Sequence, residues 1–90
     1  MLEIEFTSHL RRLVDLPDSV EVDAPTVAAA LDQLAMIAPA IDSYLRHEDG
    51  SLRRHVNIFL DDQFVRDRQR LSDSTAGVTR LFIMQALSGG

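Results

Sequence analysis

The chain contains no cysteine and no lysine, and all nine of its basic residues are arginine. Disulfides, thiolate zinc sites and a catalytic cysteine are therefore excluded, and the only amine nucleophile expected is the N-terminus. His9, His47 and His55 have no helical i, i+4 spacing and no cysteine companions, so they form no metal pair. Asp61-Asp62 reads as a turn rather than an acid/base pair, and the Arg66, Arg68, Arg70 run as a solvated edge. No nucleophile with its base, phosphate loop or metal triad is legible, so no catalytic residue and no metal ligand is assigned. What carries chemistry is Gln85-Ala86-Leu87-Ser88-Gly89-Gly90, which ends in two of the four glycines. Without a Cβ, Gly89 and Gly90 can thread a narrow channel as bare backbone. Six extended residues reach roughly 20 Å. Such a tail delivers the carboxyl group of Gly90 into the active site of another protein, with Leu87, Ser88 and Gly89 lying along the channel.

Composition narrows what that other protein does. Fourteen acidic residues against nine basic ones give a net charge of -5, the wrong sign for phosphate neutralisation, so no nucleic-acid partner is expected. No apolar run approaches the roughly 20 residues of a membrane span. The opening Met1-Leu2-Glu3-Ile4-Glu5 has neither a basic region nor an apolar stretch, so a cytoplasmic protein with no membrane partner is expected. Ninety residues, 46% apolar and 26% charged, make one small domain with a single core. The expected division is a domain over 1–84 and a flexible tail over 85–90.

The elements that must position this tail follow from hydrophobic period. Leu2, Ile4 and Phe6 alternate with Glu3, Glu5 and Thr7, which predicts a half-buried strand near 2–8. Leu10-Arg11-Arg12-Leu13 and the stretch around Pro17 read as a long connection to a second strand at Val20 and Val22, closing a first hairpin. Val27, Leu31, Leu34 and Ala38 fall on one helical stripe, capped by Thr26 and stopped by Pro39. Ile41, Tyr44 and Leu45 suggest one or two further turns before Glu48-Asp49-Gly50. The period returns to two at Val56, Ile58 and Leu60, followed by a turn at 61–63, a short strand at 64–66 and a last strand near 79–85. The last strand is apolar on both faces. With Leu81 and Ile83 toward the helix, Phe82 and Met84 face the other way, where Phe59 joins them in an exposed apolar patch beside the tail. Such a patch is expected to be a partner interface. The order of elements predicts an α+β domain with one helix across a mixed sheet.

This order, together with Leu10-Arg11-Arg12-Leu13, Thr26-Val27, Val56-Asn57-Ile58-Phe59-Leu60-Asp61-Asp62 and Ala86-Leu87-Ser88-Gly89-Gly90, resembles the MoaD/ThiS family of ubiquitin-like sulfur carriers over nearly the whole chain. Arg53-Arg54-His55-Val56-Asn57-Ile58 and Val65-Arg66-Asp67 look most like the carriers of cysteine biosynthesis in actinobacteria. The family commonly has an acidic Asp-Gly-Asp/Glu turn before its last strand and a proline after it. Here Ala76-Gly77-Val78-Thr79-Arg80 and Gln85 stand instead. The resemblance implies a β-grasp fold, a mixed sheet of four to five strands with one main helix packed across it. It also implies that a ubiquitin-activating-like enzyme adenylates Gly90 and that a sulfur donor converts the adenylate to a thiocarboxylate. ATP, Mg²⁺ and any catalytic cysteine would belong to that partner, so no cofactor is expected on this chain. The implied partners are the adenylating enzyme and a sulfur-acceptor enzyme, the chain alone being a monomer. The acceptor stays open among cysteine, molybdopterin and thiamin synthesis and that of another thio-metabolite. A protein modifier ending in an isopeptide bond is the alternative with the same features; a non-catalytic β-grasp subunit is another.

Overall fold

The computed structural model describes residues 1–85. Its elements are β1 (Leu2–Phe6), α1 (Ser8–Val14), β2 (Ser19–Val22), α2 (Val27–Ile37), α3 (Pro39–Leu45), β3 (Val56–Leu60), β4 (Gln63–Phe64) and β5 (Arg80–Gln85). The strands form one mixed sheet in the order β2-β1-β5-β3-β4, with β5 parallel to β1 and the remaining neighbours antiparallel. This is the α+β, β-grasp architecture expected, with three helices where one main helix was anticipated. One face of the sheet carries Leu2, Ile4, Phe6, Val56, Ile58, Leu81 and Ile83 into the core. Val27, Ala30, Leu31 and Leu34 of α2 and Ile41 and Leu45 of α3 complete that core.

Three local features depart from the sequence pattern. The segment expected to be a connection is α1, held by one anchor, the fully buried Leu10, and ended by Asp15 in the left-handed region at φ 57°. A helix of seven residues with a single buried position displays no period, which is why the pattern hid it. Pro39 stops α2 and also starts α3, because its missing N–H and fixed φ suit a first helical position. Arg46 then ties the two helices together, donating to Asp42 at 2.7 Å and to Asp32 at 3.0 Å. Gln85, expected both in the last strand near 79–85 and in the tail over 85–90, is the last residue of β5 and pairs with Val56.

The connection from β4 to β5 is long, but it is built rather than loose. The first N–H groups of a helix lack intrahelical partners. In α2, Val27 donates to the Asp73 carbonyl at 3.0 Å and Ala28 to the Leu71 carbonyl at 2.8 Å, while Ala29 donates to Thr26 Oγ1 at 3.2 Å. Leu71 holds φ 54°, a left-handed conformation that costs a branched residue about 1–2 kcal/mol, and its fully buried side chain offsets that cost. The buried Thr75 hydroxyl donates to the Ala24 carbonyl, closing the same seam. Arg68 is no solvated edge. Its guanidinium donates to the carbonyls of Arg53 at 2.7 Å and Val56 at 2.8 Å and to Asn57 Oδ1 at 3.1 Å, satisfying backbone that leads into β3.

Two turns bring the chain back to β5. Gly77 takes φ 77° in the turn closed by Val78 N–H donating to the Thr75 carbonyl at 3.0 Å, the position where a type II turn favours glycine. Ala76-Gly77 thus makes a turn where the resembled family commonly has an acidic Asp-Gly sequence. Asp61, at φ 57° in the two-residue β3–β4 loop, accepts from the Thr79 and Arg80 N–H groups at 3.2 and 3.0 Å and fixes the start of β5.

Replacing Arg68 with methionine keeps much of the stem but leaves the carbonyls of Arg53 and Val56 without their charged donor. We expect a loss of roughly 2–3 kcal/mol, read by urea denaturation. Asp67 gives a pH signature. The Arg70 N–H, the Ser72 hydroxyl and further N–H donors hold its carboxyl down to about 2, below its ordinary 3.8. A folded-state pKa below the unfolded one gives stability that is complete above the unfolded value and disappears as pH falls through the folded one. The melting temperature of Asp67→Asn should therefore lie below wild type at pH 7, and the gap should close between about pH 4 and pH 2.

Candidate functional site

The residues proposed for chemistry divide into a tail and a platform. Leu87, Ser88, Gly89 and Gly90 lie outside the described residues. Their point of departure is described: Gln85 ends the central strand, flanked by β1 and β3. The tail is therefore joined to the most constrained strand of the sheet. Beside its root, Thr7 donates its N–H to the Ile83 carbonyl at 3.2 Å. Thr7 Oγ1 and Gln85 Oε1 are buried there with no hydrogen-bond partner among the described residues.

The platform is the sheet face turned away from the helices. Alternation buries Leu81 and Ile83 completely and leaves Phe82 and Met84 half-buried on that outer face. Register then assembles a cross-strand row, Phe64 opposite Phe59, Phe59 opposite Phe82, Phe82 beside Glu5 and Glu5 opposite Ser19. The Phe59 ring lies 4.5 Å from that of Phe64 and 6.5 Å from that of Phe82. Met84 stands opposite Asn57, one row nearer the tail. The structure thus brings Phe59 and Phe82 together and places Met84 on the same face. The 39–45 segment does not cover them, since α3 buries Ile41 and Leu45 in the core on the other side.

Sequence reasoning missed two parts of this face. Phe64 is 60% exposed and extends the aromatic row to the sheet edge. A two-residue turn at 61–62 fixes 60 opposite 63 and 59 opposite 64, so the signal was present in the turn itself. The second part is charged. Glu3 and Glu5 project outward from β1, and Glu21 of β2 lies directly opposite Glu3. Arg80 donates to Glu5 at 3.3 Å and sits 6.0 Å from the Phe82 ring, the seam between the acidic and aromatic halves. Glu3 and Glu21 form no ion pair among the described residues.

Among the described residues, no group of His, Cys, Asp and Glu is arranged to hold a metal ion, and no helix is long and apolar enough to cross a membrane. A groove of about 540 Å³ runs beside Met1, Pro25, Thr75 and Gly77, at the end of the β1–β5 pair opposite Gln85. Its lining holds one carboxylate, Asp23, and no histidine to act as base for the hydroxyls of Ser74, Thr75 and Thr79.

No known family's sequence profile matches the chain, and no curated protein sequence matches it either. Solved structures do match. The chain superposes on a chain of the Amycolatopsis orientalis BexX/CysO complex with a TM-score of 0.84 over 100% of both chains, at 26% identity. SAMP1 from Haloferax volcanii gives 0.81 over 99% of this chain and 98% of that one, at 28% identity. Mycobacterium tuberculosis CysO gives 0.80 over 97% and 100%, at 25% identity. The structural neighbours are therefore CysO and SAMP1, ubiquitin-like β-grasp proteins of the small carrier and modifier type rather than catalysts.

The Glu3–Glu21 pair is testable in isolation. Like charges directly opposite on antiparallel strands destabilise the sheet. Glu21→Gln should therefore stabilise the fold by roughly 0.2–1 kcal/mol at low salt, a gain that shrinks as ionic strength rises. Denaturant melts at two salt concentrations measure both effects.

Proposed function

We propose that this chain is a sulfur carrier whose C-terminal Gly90 alternates between carboxylate and thiocarboxylate. One observation carries the reading: the chain matches CysO from end to end, and its sequence continues from the central strand into Leu87-Ser88-Gly89-Gly90.

The chemistry required is acyl activation. A carboxylate is a poor electrophile because of its negative charge. In the proposed cycle a Gly90 carboxylate oxygen attacks the α-phosphorus of ATP, pyrophosphate leaves, and an acyl adenylate forms. A sulfide-level sulfur then attacks the acyl carbon and AMP leaves, so that one sulfur replaces one oxygen. The thiocarboxylate sulfur is a good nucleophile at neutral pH, ready for transfer to an acceptor. ATP, Mg²⁺ and the catalytic groups belong to a ubiquitin-activating-like adenylating enzyme. The carrier contributes the bare Gly-Gly end, and Phe59, Phe82 and Met84 contribute the surface on which a partner rests. The lack of lysine and cysteine fits this role, because no side-chain amine or thiol of the carrier can intercept its own activated carboxyl group.

The likeness to SAMP1, a small archaeal modifier protein, favours a second reading. There the same adenylate ends in an isopeptide bond to a lysine of another protein. Intact-protein mass spectrometry separates the two after incubation with ATP, a sulfide source and the adenylating enzyme of the same organism. The carrier reading expects a mass gain equal to one sulfur replacing one oxygen, localised to Gly90 and absent when Gly90 is deleted. Conjugates of higher mass in an extract, without a thiocarboxylate, would establish the modifier instead. A tail that is dispensable for function would leave a β-grasp binding subunit.

A further inference from the structure

We propose that the open edge of β4 docks a second copy of this chain, antiparallel across a two-fold axis at Phe64, so that two five-stranded sheets join into one. The proposal stands apart from the carrier reading and assigns a sheet edge that the reading leaves unused.

Three observations lead to it. The first is backbone polarity. β4 ends the sheet, so no strand lies on its outer side. Val65 donates its N–H to the Ile58 carbonyl at 2.8 Å, and antiparallel residue pairs alternate between those that exchange hydrogen bonds and those that do not. Phe64, opposite Phe59, therefore sits in a non-bonded pair and turns its N–H and C=O to the open side. A second Phe64 running antiparallel exchanges two hydrogen bonds with it. The second observation is charge. Asp62-Gln63-Phe64-Val65-Arg66 carries a carboxylate and a guanidinium two residues either side of Phe64, both exposed and neither in an ion pair among the described residues. A two-fold axis at Phe64 brings Asp62 of each copy to Arg66 of the other, so the segment is complementary to itself. The opposite edge, β2, is four residues long against the two of β4. It runs Asp18-Ser19-Val20-Glu21-Val22-Asp23, and self-pairing there sets carboxylate against carboxylate. The third observation is apolar. Phe64 is 60% exposed at the end of the row formed with Phe59 and Phe82. An axis perpendicular to the sheet continues that row into the second copy and covers its most exposed ring. The Arg66 N–H is already held by Asp73 at 3.0 Å, which confines the new ladder to Phe64. The dimer is accordingly weak and forms only at high concentration, with the chain a monomer below it.

Sedimentation equilibrium and amide hydrogen exchange test this on the full chain from micromolar to near-millimolar concentration. The samples are wild type, Asp62→Arg, Arg66→Glu, an equimolar mixture of those two variants, and Phe64→Pro. Wild type should rise from 10.1 kDa toward twice that mass, and the Phe64 amide should gain exchange protection in step while the β2 amides do not. Each single charge variant sets like charges across the axis and should raise Kd about tenfold. Neither side chain makes an ion pair within its own chain, so both variants fold. Mixing them restores two attractive pairs and should return association to the wild-type level. Proline removes only the outward N–H, which an edge strand tolerates, and should weaken the dimer. Wild type that stays monomeric throughout, a dimer that protects β2 rather than Phe64, or single variants that associate as tightly as wild type overturns the proposal. No adenylating enzyme enters these measurements, so their outcome leaves the role of Gly90 to its own test.

Discussion

Everything in this molecule depends on β5 occupying the middle of the sheet. A last strand inserted between β1 and β3 must be apolar on the face that it turns to the helices. Its inner residues, Leu81 and Ile83, complete the core beneath the helices, and its outer residues, Phe82 and Met84, are committed to the opposite face. The same placement makes it parallel to β1, so Gln85 lies at the end of the sheet opposite the exposed Met1. The launch point of the tail and the composition of the platform beside it thus follow from one packing decision.

That decision is enforced by backbone hydrogen bonding in the β4–β5 connection. Such a connection is expected to be mobile unless its own polar groups are satisfied. Here its carbonyls at Leu71 and Asp73 take the orphan donors of α2, Asp67 and Asp73 accept N–H groups within the connection, and Arg68 reaches back to the entrance of β3. Asp61 grips the first residues of β5 from the β3–β4 turn. The side chains involved are polar and largely local, so the connection is ordered with few apolar residues of its own, Val65 and Leu71 being its buried anchors. A domain with a core this small has little stability to spare, and capping a helix with the connection that delivers the last strand couples the two most important packing events.

The sequence made the strands and α2 legible because their periods are clean. Leu2, Ile4 and Phe6 repeat at two, and Val27, Leu31 and Leu34 fit one helical stripe. It hid α1, whose single anchor Leu10 carries no period, and it misassigned Arg68, whose role depends on carbonyls eleven or more residues away. The aromatic pair Phe59–Phe82 followed from alternation plus strand adjacency, while Phe64 required the exact turn length. The acidic row was half visible in Leu2-Glu3-Ile4-Glu5-Phe6, but the opposition of Glu21 to Glu3 is a fact of register, which one sequence does not encode locally.

The resulting picture is a mixed sheet whose outer face is split between aromatic and acidic halves, with a glycine-terminated sequence joined to its central strand. The role proposed for Gly90 is to carry sulfur in the cell. The most direct measurement is the chemical state of the C-terminal peptide in protein isolated from its native cells under conditions that preserve thioacids. A population bearing a thiocarboxylate on Gly90 is expected, and it should vanish when the adenylating enzyme is deleted. A pool consisting only of free carboxylate and of Gly90 joined to lysines of other proteins would contradict it.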